Sequence, residues 1–289
     1  MSEKNKLQIL CENIRILSER GQNAARQRQI CVRELARLLA ANGEERPPEE
    51  LYRAFRAALP EATPEDRVGF CALLSCSPTH GPRLARSCGL TAYEPAAPGS
   101  HGRIAMVRNP YNEQAFSRFS TVVTNAKPAY LSSFSEACED VFDSRCEFCI
   151  LPMENTEGGR MVGFYSMMDR YDLRICACCR LDTEEQSDSV RYALVGKARP
   201  DRLPRQSDYY LEFSVTAQTG QFPEDMLRAV AVLDATLLGL DSLPVPYSDG
   251  LQRYSFTLRV TEQSAYALDL YLSAEHTGYA PIGLYPMLP

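Results

Sequence analysis

Cys149-Ile150-Leu151-Pro152-Met153-Glu154-Asn155-Thr156-Glu157-Gly158-Gly159 is an apolar run that stops at a proline and spills into polar side chains and two glycines. Phe148 to Leu151 form a short continuous apolar block, the pattern of a parallel strand covered on both faces. Glu154, Asn155 and Thr156 then stand at the carboxyl end of that strand, where open α/β sheets receive their ligands. The same residues also fit a strand followed by an Asn/Thr helix cap and a glycine turn, and both readings stay open at this point.

Working outward, the flanks alternate short strands with helices. Upstream lie an apolar strand, Ile104 to Val107, a turn into a helix over Asn109-Pro110-Tyr111-Asn112-Glu113-Gln114-Ala115-Phe116, a strand at Ala129-Tyr130-Leu131, and a helix from Ser133 to Val141. Downstream come a helix at about Met161 to Tyr171, a strand from Leu173 to Cys179, a polar loop from Asp182 to Asp188, and a strand over Val190-Arg191-Tyr192-Ala193-Leu194-Val195-Gly196. This alternation predicts a small α/β lobe over residues 103–200. The tail, 207–289, has the order strand, helix, strand, strand, helix, strand. Tyr209, Leu211, Phe213 and Val215 alternate with Glu212, Ser214 and Thr216, which predicts a strand with one core face. Met226, Val230, Leu233 and Leu237 are expected on the inward side of the first tail helix, and Ala265, Leu268 and Leu272 on that of the second.

Residues 1–92 read as a helical domain, followed by a Pro/Gly-rich linker at 93–102. Leu7, Leu10, Ile14 and Leu17 form one stripe, and Ile30, Leu35, Leu38 and Leu39 another that stops at Asn42-Gly43. Pro47-Pro48-Glu49 starts a third helix, Thr63-Pro64-Glu65-Asp66 caps a fourth, and Ser77-Pro78 opens a short fifth that closes at Gly89. Val32 to Leu39 resembles the first helix of a helix-turn-helix, but the next helix starts only after Pro47, too late for the usual turn. Residues 1–100 carry 14 Lys/Arg against 12 Asp/Glu, net +2, and the remainder is net −8. That balance argues against nucleic acid as a partner.

The chain has 289 residues, 45% hydrophobic and 24% charged, enough for two or three cores. No apolar run reaches membrane-spanning length and the first twenty residues are amphipathic and charged, so the expected location is the cytoplasm. Eleven cysteines then read as reduced thiols. Cys146 with Cys149, and Cys176 with Cys178 and Cys179, invite a zinc site, but Cys178 and Cys179 fall on opposite faces of one strand. No metal and no cofactor is expected.

Several of these stretches together resemble the prephenate dehydratase family. Pro152-Met153-Glu154-Asn155-Thr156 with Gly158 is similar to its "P-I-E-N-S…G" motif, and Val190 to Gly196 to its "T-R-F-L-V-I-G" return strand. Asn109 to Phe116 is similar to its glycine-rich turn without the glycines, which in the family let backbone amides approach the substrate. Ile282-Gly283-Leu284-Tyr285-Pro286 is similar to its closing "L-G-S-Y-P", at the end of an ACT domain, the amino-acid-sensing module. The resemblance implies an α/β fold, α+β overall. It consists of an N-terminal helical domain, a single periplasmic-binding-like α/β lobe and a ferredoxin-like βαββαβ ACT domain.

The departures carry the functional expectation. The family inserts a second lobe after its Glu-Asn-Ser turn, and here one helix and one strand stand in that interval. The family's essential Thr is matched by Val190, which can neither donate nor accept a hydrogen bond. No catalytic residue is therefore assigned, and the chain leans away from being an enzyme. Glu154, Asn155, Thr156 and Arg191 are the expected site for a small aromatic or carboxylate ligand, with Arg191 as the carboxylate clamp. By resemblance, Gly220, Gln221 and Phe222 with Asp241 and Ser242 form the effector site, although Leu243 replaces the family's arginine. The expected protein is a catalytically silent dehydratase relative, a homodimer, that binds such a ligand or a partner protein in a regulatory role. An active dehydratase and an ACT-domain transcription regulator are the alternatives. A helical chorismate mutase precedes the dehydratase in bifunctional relatives, but Gly21 and Gly43 interrupt the long helix that activity needs.

Overall fold

The computed structural model describes residues 3–18, 22–43, 45–88, 90, 101–154, 161–182, 189–245 and 248–289. Five helices come first: α1 (Glu3–Ser18), α2 (Gln22–Asn42), α3 (Pro48–Ala58), α4 (Pro64–Cys76) and α5 (Gly81–Ser87). Their ends follow local chemistry. At α4 the Thr63 hydroxyl accepts from the Asp66 amide while the Asp66 carboxylate accepts from the Thr63 amide, a reciprocal capping box that satisfies two end donors. The fifth helix begins later than Ser77-Pro78 predicts, because the Ser77 hydroxyl accepts from the amides of Thr79 and His80 and closes a turn of its own first. Its expected stop at Gly89, and most of the expected linker, lie outside the described residues.

The remaining elements are β1 (Arg103–Val107), α6 (Pro110–Phe119), β2 (Lys127–Leu131), α7 (Phe134–Phe142), β3 (Phe148–Pro152), α8 (Val162–Tyr171), β4 (Arg174–Asp182), β5 (Ser189–Gly196), β6 (Tyr209–Gln218), α9 (Glu224–Val232), β7 (Thr236–Pro244), β8 (Leu251–Val260), α10 (Glu262–Glu275), β9 (Tyr279–Tyr285) and β10 (Met287–Leu288). Together the strands build one mixed sheet in the order β2-β1-β3-β5-β4-β9-β6-β8-β7, with β10 beside β4. The decisive strand, β3, is buried throughout. It runs parallel to β1 but antiparallel to β5, so only one of its neighbours is of the parallel kind its sequence predicts. On one side of this half of the sheet α6 buries Ala115 and Phe119; on the other α7 and α8 bury Ala137, Val141, Phe164 and Met168. Cys178 packs on the α7/α8 side and Cys179 on the α6 side. Among the described residues no group of three or more His, Cys, Asp or Glu side chains is placed to hold a metal ion, and no helix is long and apolar enough to cross a membrane.

The second half, β6 to β9, has the ferredoxin-like βαββαβ order with strands arranged β9-β6-β8-β7. It joins the first half through β9, where Gly283 lies opposite Ile175 of β4. A Cβ at Gly283 would stand 2.7 Å from the Ile175 carbonyl oxygen and 2.8 Å from its Cβ, so the closing motif's glycine is required by the close approach of two backbones. The N-terminal helices share a hydrophobic core with this half: Leu35, Phe55, Phe70 and Leu74 pack with Met226, Leu268, Leu272 and Phe213. Glu275 at the end of α10 pins that contact, accepting from Tyr52 at 2.8 Å and from Arg67 at 2.7 Å, with Arg56 at 3.1 Å.

Two tail expectations need correction. Leu237 is not on the inward face of a helix: α9 ends at Val232, Asp234 turns the chain with φ 53°, and Leu237 lies in β7 with 40% of its surface exposed. The polar side of β6 is not a solvent face either. Glu212, Ser214, Ser255 and Thr257 are all buried, because α8 lies across that side of the sheet and Asp169 of α8 pairs with Arg253 of β8.

Gly283→Ala is expected to destabilise the protein by about 1–3 kcal/mol, the usual cost of overpacking a filled site. Urea unfolding followed by circular dichroism measures it, and an unchanged midpoint would mean that β4 and β9 do not meet as described.

Candidate functional site

The carboxyl end of β3 meets the polar side of the tail sheet. After Pro152 the Met153 amide donates to the Arg191 carbonyl at 2.8 Å, which brings Glu154 over the start of β5. Alternation along β5 then sorts its side chains: Val190 is buried among Ile104, Phe119 and Leu181 on the α6 side, whereas Arg191 projects beneath α8. Arg191 Nε donates to Glu154 Oε1 at 2.7 Å, and its Nη1 lies 3.8 Å from Glu212 Oε1. Glu212, on β6, has no exposed surface. It accepts from three hydroxyls: Tyr285 at 2.9 Å, Tyr165 at 3.1 Å and Thr257 at 3.3 Å. Removing a carboxylate from water is costly unless it is paired and hydrogen-bonded, and here both conditions are met by groups from β5, α8, β8 and β9.

The same surroundings fix protonation. Burial acts to lower the Arg191 pKa, but the Glu154 hydrogen bond and the neighbouring acidic groups outweigh it and hold the guanidinium above its ordinary value. Burial first, and the nearby Glu212 second, push the Tyr285 phenol well up. The Cys178 thiol, 3.3 Å from the Met153 sulfur, is pushed up by the same two causes. Tyr285 and Cys178 therefore stay neutral at physiological pH, Tyr285 as a hydrogen-bond donor and Cys178 as packing, and neither is an available nucleophile.

Of the residues singled out from the sequence, Glu154 and Arg191 come together, as an ion pair with each other. Asn155 and Thr156 lie outside the described residues. Asn109 and Asn112, which stand in place of glycines, close the β1–α6 turn: Asn109 Oδ1 accepts from the Asn112 amide at 2.8 Å, and Asn112 Nδ2 donates to the Val107 carbonyl at 2.6 Å. In the tail, Gly220 takes φ 84° in the turn after β6, and Gln221 and Phe222 line a cavity of about 240 Å³ with Thr216, Asp225, Glu275 and His276. Asp241 and Ser242 are on β7, outside that lining, opposite Ser255 and Tyr254. Phe222 meets the Tyr254 ring edge-on at 5.3 Å. Sequence reasoning missed Glu212, Tyr165, Tyr285 and Thr257; the one signal was a glutamate inside an otherwise small, uncharged polar face.

No protein-family model and no curated protein matches this chain. Solved structures do. An X-ray structure of prephenate dehydratase from Streptococcus mutans matches with TM-score 0.53 and 16% identity, over 65% of this chain and 99% of that one. The chain has a prephenate dehydratase-like fold. A structure titled GqqA, a novel type of quorum quenching acylases, matches with TM-score 0.50 and 18% identity, over 64% of this chain and 94% of that one. Identities this low speak to the dehydratase-like fold and leave activity to the residues.

Glu212→Gln replaces one acceptor oxygen by an NH₂ facing hydroxyl donors and a guanidinium, and should destabilise the protein by about 1–3 kcal/mol. Thermal or urea unfolding tests this, and a neutral result would remove Glu212 as the centre of the cluster.

Proposed function

We propose that the protein is a catalytically silent relative of prephenate dehydratase that binds a small aromatic carboxylate at the β3 end, in a regulatory role tied to aromatic amino-acid metabolism. The observation that carries this reading is the sorting of β5. Its Val190, which matches the family's essential hydroxyl, is sealed in the α6-side core, while the cation of the motif, Arg191, is kept at the strand end with 11% of its side chain exposed. Dehydration needs a proton donor at the departing hydroxyl, and among the described residues at the β3 end the hydroxyls of Tyr165, Tyr285 and Thr257 all donate to Glu212. Among the described residues, the chain between β3 and β5 contributes only α8 and β4, where the family places its second lobe. The tail fits an ACT-like module by strand order, and the cavity beside Gln221 and Phe222 is the place for an effector there.

Purified protein should not convert prephenate to phenylpyruvate above the uncatalysed rate, and Val190→Thr should not restore turnover. Saturable turnover by the wild type would overturn the reading. In calorimetry, Arg191→Ala should weaken binding of an aromatic carboxylate by roughly 1.5–3 kcal/mol, the range for a hydrogen bond to a charged group. Asp241→Ala should leave it within error, and the opposite order would move the site to the tail.

The chain is further proposed to be a homodimer through β7. That strand ends the sheet, and its Leu237, Leu238 and Leu240 are 40–46% exposed, an edge that calls for a partner strand. Light scattering should give a dimer at micromolar concentration and a monomer for Leu240→Lys; a monomeric wild type would refute it.

A further inference from the structure

We infer that the groove between α1 and α2 is a docking site for an acidic amphipathic helix of a partner protein. Neither helix enters the β3 end, so the inference is independent of the ligand reading there. Lys6 lies 3.8 Å from Glu34 and Ile16 shares a groove with Gln27, so the two helices run antiparallel, with Ile14 turned into the core shared with the tail. Their outer side is not sealed. Asn13 and Ile16 of α1 and Gln27, Ile30 and Cys31 of α2 line an open groove of about 350 Å³. Ile30 is 60% exposed and Ile16 37%, and Ile9, two turns before Ile16 on the same stripe, is 44% exposed. A single exposed isoleucine calls for no explanation, but three of them on stripes flanking one concavity mark an interaction surface. Ile9 to Ile16 covers roughly 10 Å of helix, enough to seat two or three side chains of a third helix laid in the groove.

Charge defines the partner. Residues 1–42 carry eight Lys/Arg against four Asp/Glu, net +4, in a chain of net −6. The described carboxylates on this face already hold cations: Glu12 has Arg15 at 2.7 Å, and Glu34 has Lys6. On the other side of α2, where it meets α4, Asp66 has Arg28 at 2.7 Å and Glu65 has Arg228 at 4.0 Å. Arg26, Arg33 and Arg37 are left over. They recur along α2 with Ile30 among them at helical spacing, so they form one exposed rim beside the groove, and none has a carboxylate partner among the described residues. A helix in the groove with acidic residues on its α2 side matches that rim while its apolar face covers the isoleucines. Asn13 and Gln27 argue against a lipid surface, which would take water from their amides without supplying partners; a helix carries polar side chains that can. Ile30 in the middle of the rim, with Glu34 one turn on, is a poor match to a phosphate backbone. A second copy of the hairpin would bring another net +4 against the first.

Fluorescence anisotropy on the full-length protein tests the inference, with a labelled amphipathic peptide of about 20 residues bearing leucine on one face and glutamate on the flanks as the probe. This peptide should bind at least about tenfold more tightly than the same peptide with glutamine for glutamate, and about 0.5 M salt should remove most of that difference. Ile30→Glu should abolish binding of both peptides. Arg33→Ala combined with Arg37→Ala should bring the glutamate peptide down to the level of the glutamine one, whereas Arg259→Ala, at an exposed arginine of β8, should change nothing. All of these positions are exposed, and circular dichroism like that of the wild type shows that each variant is folded. Equal affinity for the two peptides, or binding that survives Ile30→Glu, would overturn the inference. So would tighter binding, lost in Ile30→Glu, to vesicles containing phosphatidylserine or to duplex DNA, which would assign the surface to a membrane or to nucleic acid. Self-association that persists in Leu240→Lys and disappears in Ile30→Glu would give the groove to a second copy and overturn it as well.

Discussion

A buried carboxylate, Glu212, ties the halves of this molecule together. It sits on β6 in the tail, yet its partners include Tyr165 from α8 and Arg191 from β5, both in the other half. The backbone connection between the halves is thin, with one registered residue pair between β4 and β9 and a short β10 strand beside β4. A charge in that place contributes little net stability compared with well-packed apolar groups, but it is unforgiving of misalignment, because any other arrangement leaves it unpaired. We take its role to be specification: the side of the tail sheet that meets α8 is fixed by where the hydroxyls and the guanidinium must be.

That constraint changes how the strand-end arginine is understood. Taken alone, an arginine at the end of a strand is a ready clamp for a carboxylate. In place, it is engaged by one glutamate in front and another behind. The fold is dehydratase-like, and in this chain Val190 of β5 is part of the core while its neighbour Arg191 links the two halves. Likeness of fold leaves the site to be read from its own residues.

Much of the architecture was legible in the residues. The caps at Thr63, Asn109 and Ser133, each a side-chain oxygen accepting from an amide three residues on, mark helix starts that depend on local chemistry alone. Apolar periodicity found the strands, and the two cysteines assigned to opposite faces are on opposite faces. What was not legible depended on neighbours distant in sequence. Alternation along β6 shows that one side is apolar; it does not show that α8 covers the other, so Glu212 reads as a surface residue until the fold is known. Leu237 misled because a leucine four positions beyond Leu233 fits a helix as well as a strand, and the positive φ at Asp234 that separates them leaves no apolar signature. At the candidate site, residue types singled out Glu154 and Arg191, but only geometry revealed that they face each other.

The core shared by the first helices and the tail has a consequence for synthesis. Leu35, Phe55, Phe70 and Leu74 are packed by residues that follow Tyr209, so the apolar stripes of α2, α3 and α4 leave the ribosome long before their covering exists. About 120 residues separate Leu90 from Tyr209, and at roughly 5–20 residues per second the helices wait on the order of ten seconds. During that interval the apolar stripes of these helices lack their cover, and the lobe from β1 to β5, whose contacts are nearer in sequence, is free to collapse ahead of them. The helices made first are thus among the last parts of this protein whose packing can be completed.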